Sequence, residues 1–211
     1  MNKIFHFFLF SIIIIGCNKY EYEIINQPIV SESISINTDS DSIPSTVDSN
    51  LTEDTLNKEV IICENGFANS FPCKGMNLYS HISLRDFGSG FANDNWGWTD
   101  LESGKEYVVQ GLNDGTAFVD ITDPLSPIFK AKIPVNTPSI WRDIKVFKNH
   151  AFIVSEANDH GLQIFDLTRL REIDSFQIIS PDKKLNTFGS AHNIAINEAT
   201  GYAYIIGSQR F

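Results

Sequence analysis

Apolar and polar positions along this chain fall into three regimes. Residues 4–15 are almost wholly apolar. From Asn18 to about Lys58, isolated Ile and Val positions stand among Ser, Thr, Asp and Asn. From Val60-Ile61-Ile62-Cys63 onward, apolar residues arrive in strand-length groups separated by turn residues. The groups are Tyr107 to Val109, Leu112 to Asp123, Ile144 to Phe147, Phe152 to Val154, Leu162 to Thr168, Ile194 to Ile196 and Tyr202 to Ile206, and they predict short β-strands. Helical spacing is not sustained anywhere beyond Gly75. The folded part, residues 61–211, therefore reads as all-β.

The short strands repeat. Tyr107-Val108-Val109, Asn113-Asp114-Gly115 and Ala117 to Thr122 parallel Phe152-Ile153-Val154, Asn158 to Gly161 and Leu162 to Thr168, at an offset of 45 to 46 residues. A third copy has Asn193-Ile194-Ala195-Ile196 where the second has Asp143-Ile144-Lys145-Val146. Repeats of this length holding several short strands are the pattern of propeller blades. Within a unit, tight turns such as Lys148-Asn149 and Glu198 to Gly201 join apolar strands into hairpins. Asp120 and Asp166 close strands, where a carboxylate caps turn amides.

The first regime reads as an export leader. Lys3 provides a positive start, the apolar run follows, and Ile14-Ile15-Gly16-Cys17 has the form of a lipobox, with Cys17 the residue that would be lipidated. About a dozen apolar residues are too few for a spanning helix, which needs roughly 20. The expected organisation is a signal peptide over residues 1–16, a lipidated, flexible acidic linker over 17–60, and the repeat domain over 61–211. Residues 18–60 carry nine acidic and two basic side chains, which concentrates there much of the net charge of −10. As a coil this linker would span roughly 35–40 Å. No Lys/Arg cluster suits nucleic acid, so no nucleic-acid partner is expected.

With Cys17 committed to lipid, Cys63 and Cys73 form an even pair in an exported protein and are expected to be bridged. A metal site is the alternative, but the pair lacks a C-x-x-C unit.

Ala117 to Pro124 and Leu162 to Leu167 resemble the LVIVD repeat. Asn95 to Asp100, Trp141 to Val146, Ala191 to Glu198 and the Cys63 to Cys73 segment resemble the choice-of-anchor B family of secreted bacterial proteins. The resemblance implies an exported β-propeller-like domain with a membrane attachment and no established enzyme chemistry or cofactor. The chain stops at Arg210-Phe211 inside a repeat, after two full units and part of a third, whereas a propeller closes with at least four blades. It thus reads as C-terminally incomplete.

Repeat alignment sets Arg142 opposite His192 and Asp143 opposite Asn193, at the entrance to the first strand of each unit. If those strands are innermost, the four side chains form a ligand-contacting ring; alternatively, they hydrogen-bond neighbouring blades. Trp96 and Trp98 share a strand face and could stack on a sugar or peptide, or pack between blades. His150 and His160 read as surface-loop histidines. Glu156, Asp159 and Asp100 lack the spacing of a calcium loop, and Gly189-Ser190-Ala191-His192 is not a nucleophile elbow. The resulting expectation is a cell-envelope lipoprotein, lipid-anchored and facing periplasm or cell surface, that binds a protein or glycan. The alternative is an extracytoplasmic enzyme acting on polysaccharide.

Overall fold

The computed structural model describes residues 59–209. The leader, Cys17 and the linker as far as residue 58 lie outside the described residues. The described part is all-β, built from small sheets of which none closes on itself. No helix among the described residues is long and apolar enough to cross a membrane.

A short hairpin, β1 (Phe67–Ala68) with β2 (Phe71–Pro72), lies inside the loop closed by a Cys63–Cys73 disulfide, whose Cα atoms are 5.9 Å apart. The first large sheet runs β3 (Ala92–Thr99), β4 (Glu106–Leu112), β5 (Gly115–Asp120) and β6 (Ile128–Pro134), each antiparallel to the one before. The second runs β7 (Arg142–Phe147), β8 (His150–Ser155) and β9 (Leu162–Asp166). A 3-10 turn over Leu167–Glu172 follows. The chain then crosses to lay β10 (Gln177–Ile178) parallel to β6, and returns as β11 (Lys183–Leu185), the outer strand beside β9. A third, two-stranded sheet pairs β12 (Asn193–Asn197) with β13 (Tyr202–Ile206).

Alternation along the strands supplies the cores between sheets. Tyr107 and Val109 of β4, Phe118 of β5 and Ile133 of β6 meet Ile144, Ile153 and Phe165 of the second sheet in one buried cluster. Phe118 and Phe165, both fully buried, stand 4.7 Å apart across that interface; truncating either to Ala would cost about 3–5 kcal/mol. On the other face of the second sheet, Val154 and Leu162 pack with Ala191 and Ile194. The three sheets thus stack face to face, with their first strands β3, β7 and β12 as neighbours.

The carboxylates at strand ends do what their position implies. Asp120 Oδ1 accepts the Thr122 amide at 3.0 Å and its hydroxyl at 2.6 Å. Asp166 Oδ1 repeats this with Thr168 at 3.0 and 2.7 Å. Two differences from the sequence reading stand out. The apolar run from Leu112 divides at the Asn113-Asp114 turn, so that Leu112 ends β4 and Gly115 begins β5. Also, β6 carries Lys130 and Lys132 in its middle; Lys132 is tolerated because its ammonium reaches Asp114 at 2.8 Å and the Phe87 carbonyl at 3.2 Å.

Candidate functional site

The first strands begin side by side, and each opens with a polar pair: Asn93-Asp94 on β3, Arg142-Asp143 on β7 and His192-Asn193 at the start of β12. Together with Trp141 they line a pocket of about 180 Å³. All four ring residues named from the repeat alignment therefore meet at one place.

How the pairs are held follows from the strands. A bulge in β3 sets Asn93 and Asp94 against Gly111 of β4, where a Cβ would lie 2.8 Å from Asn93 Oδ1 and 3.0 Å from the Asp94 carbonyl. Only glycine lets the bulge sit so close. Gln110 Nε2 donates to the carbonyls of Asn93 and Asp94 at 3.2 and 3.1 Å, satisfying groups that the bulge takes out of the ladder. From this bulge Asp94 Oδ2 accepts the Ile144 amide of the next sheet at 2.8 Å. One sheet further on, Asp143 Oδ2 accepts the Ile194 amide at 2.7 Å and the Asn193 side-chain amide at 3.3 Å. The same clasp recurs at successive sheet junctions.

Lys145 serves both carboxylates, at 2.6 Å from Asp143 and 3.8 Å from Asp94. Burial pushes the Asp94 carboxyl up, and neighbouring Asp143 adds to the rise. Burial acts in the same sense on Asp143, but hydrogen bonding with Asp94, Lys145 and the Ile194 amide outweighs it and holds that carboxyl below its usual range.

Arg142 is almost fully buried. Its Nε donates to the Leu112 carbonyl at 3.1 Å and its Nη1 to His160 Nε2 at 2.8 Å. Since arginine only donates and the Gly161 carbonyl, 3.0 Å from His160 Nδ1, only accepts, the imidazole is the neutral Nδ1-H tautomer. Burial, with the Arg142 charge beside it, pushes the His160 pKa down to about 4. His160 is thus a buried structural residue, not a surface-loop histidine; His150 is exposed as expected.

The exposed side of the pocket is different. Trp141 is half exposed, its ring 5.8 Å from that of His192, and His192 Nδ1 pairs with Glu156 Oε1 at 2.5 Å. Ser155 fixes this rim: its hydroxyl donates to the Trp141 carbonyl at 2.9 Å, and its own carbonyl accepts the Ala191 amide at 2.9 Å. The two tryptophans of β3 separate. Trp98 is buried and stacks on Tyr107 at 5.1 Å, whereas Trp96 is 39% exposed with Lys145 Nζ lying 4.4 Å over its ring.

The sequence reading passes over Asn93, Asp94, Trp141 and Lys145, and it weighs Glu156 only as an oxygen for calcium. Asn93-Asp94 had a signal in its spacing of 49 residues before Arg142-Asp143, which nearly matches the step of 50 to His192-Asn193. Among the described residues, no group of three or more His, Cys, Asp and Glu side chains is placed to hold a metal ion. Compared with family models, with curated proteins and with solved structures, the chain matches none.

Proposed function

We propose that this chain is a lipid-anchored, extracytoplasmic protein of the bacterial envelope, of LVIVD-repeat propeller type, and that it binds a protein or glycan at the face where β3, β7 and β12 begin. The leader with Cys17 supports the anchor. Successive antiparallel sheets with neighbouring first strands support the propeller reading. One observation carries the binding function: the Asp94 and Asp143 carboxylates are committed to backbone amides of the next sheet, while Trp141 and His192, which line the same pocket, stand exposed. Carboxylates so engaged are structural, whereas an exposed aromatic rim over a fixed polar floor suits recognition.

A glycan array probed with the full-length protein tests the binding. Trp141→Ala should lose the signal with the fold intact, and an unchanged signal would contradict the site. Metabolic labelling with a fatty-acid analogue tests the anchor, which Cys17→Ala should abolish together with membrane retention.

The His192–Glu156 pair favours a second reading, an enzyme acting on polysaccharide, because a carboxylate that orients an imidazole prepares a general base. Release of reducing ends from envelope polysaccharide, lost in His192→Gln, would establish it.

A further inference from the structure

A larger pocket, of about 390 Å³, opens elsewhere, at the loop end of the cleft between the first and second sheets. The second sheet supplies its floor. Gln163 of β9 and Lys184 of β11 stand directly opposite each other in an antiparallel ladder, which sets their side chains next to each other on one face. The loop after β8, with Asp159 and His160, supplies a wall.

Wall and floor are held together. Gly161, at φ +64°, is pressed against β11 so closely that a Cβ there would lie 2.2 Å from the Leu185 carbonyl. Lys184 Nζ ties the loop to the sheet by donating to the Asp159 backbone carbonyl at 2.9 Å. Both ring nitrogens of His160 are engaged, so it offers nothing to a ligand. Three groups are left open. Gln163 is only 6% exposed and its side-chain carbonyl is sealed from solvent, so the amide nitrogen is the polar atom it turns to the pocket; that nitrogen donates to no described residue. Lys184 carries three protons, of which the Asp159 backbone takes one. The exposed Asp159 carboxylate, which only accepts, pairs with no described residue. Buried donors are ordinarily satisfied, so the Gln163 nitrogen at the floor of a pocket calls for an acceptor from a ligand.

These three groups define the ligand. The Gln163 amide and the Lys184 ammonium, side by side, suit a carboxylate, whose two oxygens can accept from both. Arg142, behind His160, adds positive charge on that side. A simple carboxylate would also meet the like charge of Asp159, and a simple cation would meet Lys184 and leave the Gln163 nitrogen unpaired. A ligand that carries an ammonium beside a carboxylate satisfies all three groups. The bond from Lys184 Nζ to the Asp159 backbone keeps the two protein charges close, as they are in a free α-amino acid, where a single carbon links carboxylate and ammonium. We infer that this pocket binds a free α-amino acid, its carboxylate accepting from Gln163 Nε2 and Lys184 Nζ and its ammonium donating to the Asp159 carboxylate. A peptide carries its terminal charges too far apart to do this. The inference rests on neither the membrane anchor nor the rim at Trp141 and His192.

The test is a calorimetric titration of the full-length protein with each of the proteinogenic amino acids, and with acetate and methylammonium as probes of a single charge; the side-chain amide resonances of Gln163 report the site. At least one amino acid should bind and perturb those resonances, and acetate and methylammonium should bind about tenfold more weakly or less. Gln163→Leu, which removes the donor, should weaken amino-acid binding about tenfold or more, and Gln163→Met serves if leucine does not fold. Asp159→Asn, which keeps a residue suited to the left-handed backbone at φ +57°, should weaken amino-acid binding by a similar factor without weakening that of acetate. His192→Ala should bind as the unaltered protein does, which separates this site from the rim. No response to any amino acid, acetate binding as tight as theirs, or undiminished binding by the Gln163 or Asp159 variants overturns the proposal.

Discussion

Asp143 on β7 accepts the backbone amide of Ile194 on β12 at 2.7 Å, across the junction between two sheets. Asp94 does the same for Ile144 one junction earlier, at 2.8 Å. A carboxylate that accepts an amide from the next sheet adds direction to an interface otherwise held by non-directional burial of residues such as Val154 and Ile194. It also fixes the height at which each first strand begins, and hence where Trp141 and His192 stand.

An ion pair ties the opposite ends of the first two sheets. Arg171, in the 3-10 turn after β9, grips both oxygens of buried Asp100 in the β3–β4 turn, at 2.6 and 2.8 Å. Hydrogen bonding to Arg171 holds the Asp100 carboxyl well below the usual carboxylate range. Such a group stabilises the fold above the unfolded value of 3.8, and its contribution is lost as pH falls below that. Asp100→Asn is expected to cost about 1–3 kcal/mol near neutral pH and to flatten the stability profile in acid. Urea unfolding at several pH values measures both effects.

His160 gives a separate pH signature. An unfolded chain protonates this histidine near its ordinary pKa of 6.5, while the folded protein resists until about 4. The unfolded state therefore binds more protons across that window, and stability falls as pH drops through it, by about 3 kcal/mol. His160→Gln keeps an acceptor for Arg142 but does not titrate, so its stability should change less between about pH 7 and about pH 4.5. Parallel slopes for the two proteins would show that His160 is not held neutral.

The Cys63–Cys73 bridge makes a local prediction. It encloses β1 and β2, and the Cys63 amide donates to Asn77 Oδ1 at 3.1 Å. Non-reducing mass spectrometry should find the two cysteines linked. Closure of so short a loop is worth about 2–3 kcal/mol. On reduction, amide exchange should rise over residues 61–78 while the core strands β4 and β5 keep their protection.

What the sequence revealed divides along local and non-local lines. The caps at Asp120 and Asp166 were legible because an Asp followed two residues later by Thr closes its hydrogen bonds within the turn itself. The set of Arg142, Asp143, His192 and Asn193 was legible because Ile144 and Ile194 keep the two strand starts in phase. Asn93-Asp94 was hidden: β3 has Asn95 where the others have Ile, and its bulge shifts the register. His160 was misread because its burial depends on Arg142, which reaches it from the start of β7. Nothing near Gln177 foretells β10, whose partner β6 is reached only by crossing between sheets. The roles of Trp96 and Trp98 diverged for a similar reason: Tyr107 covers one and Lys145, from another sheet, the other.

The central claim is that Asp143 clasps one sheet to the next and thereby holds the rim in place. Native-state hydrogen exchange at the Ile194 amide, compared between the unaltered protein and Asp143→Ala, tests it most directly. Loss of the buried charge-assisted bond should lower the protection of Ile194 and of β12 and β13 by about 2–4 kcal/mol, with the β4–β5 amides affected far less. Equal protection of Ile194 in the two proteins would contradict the account.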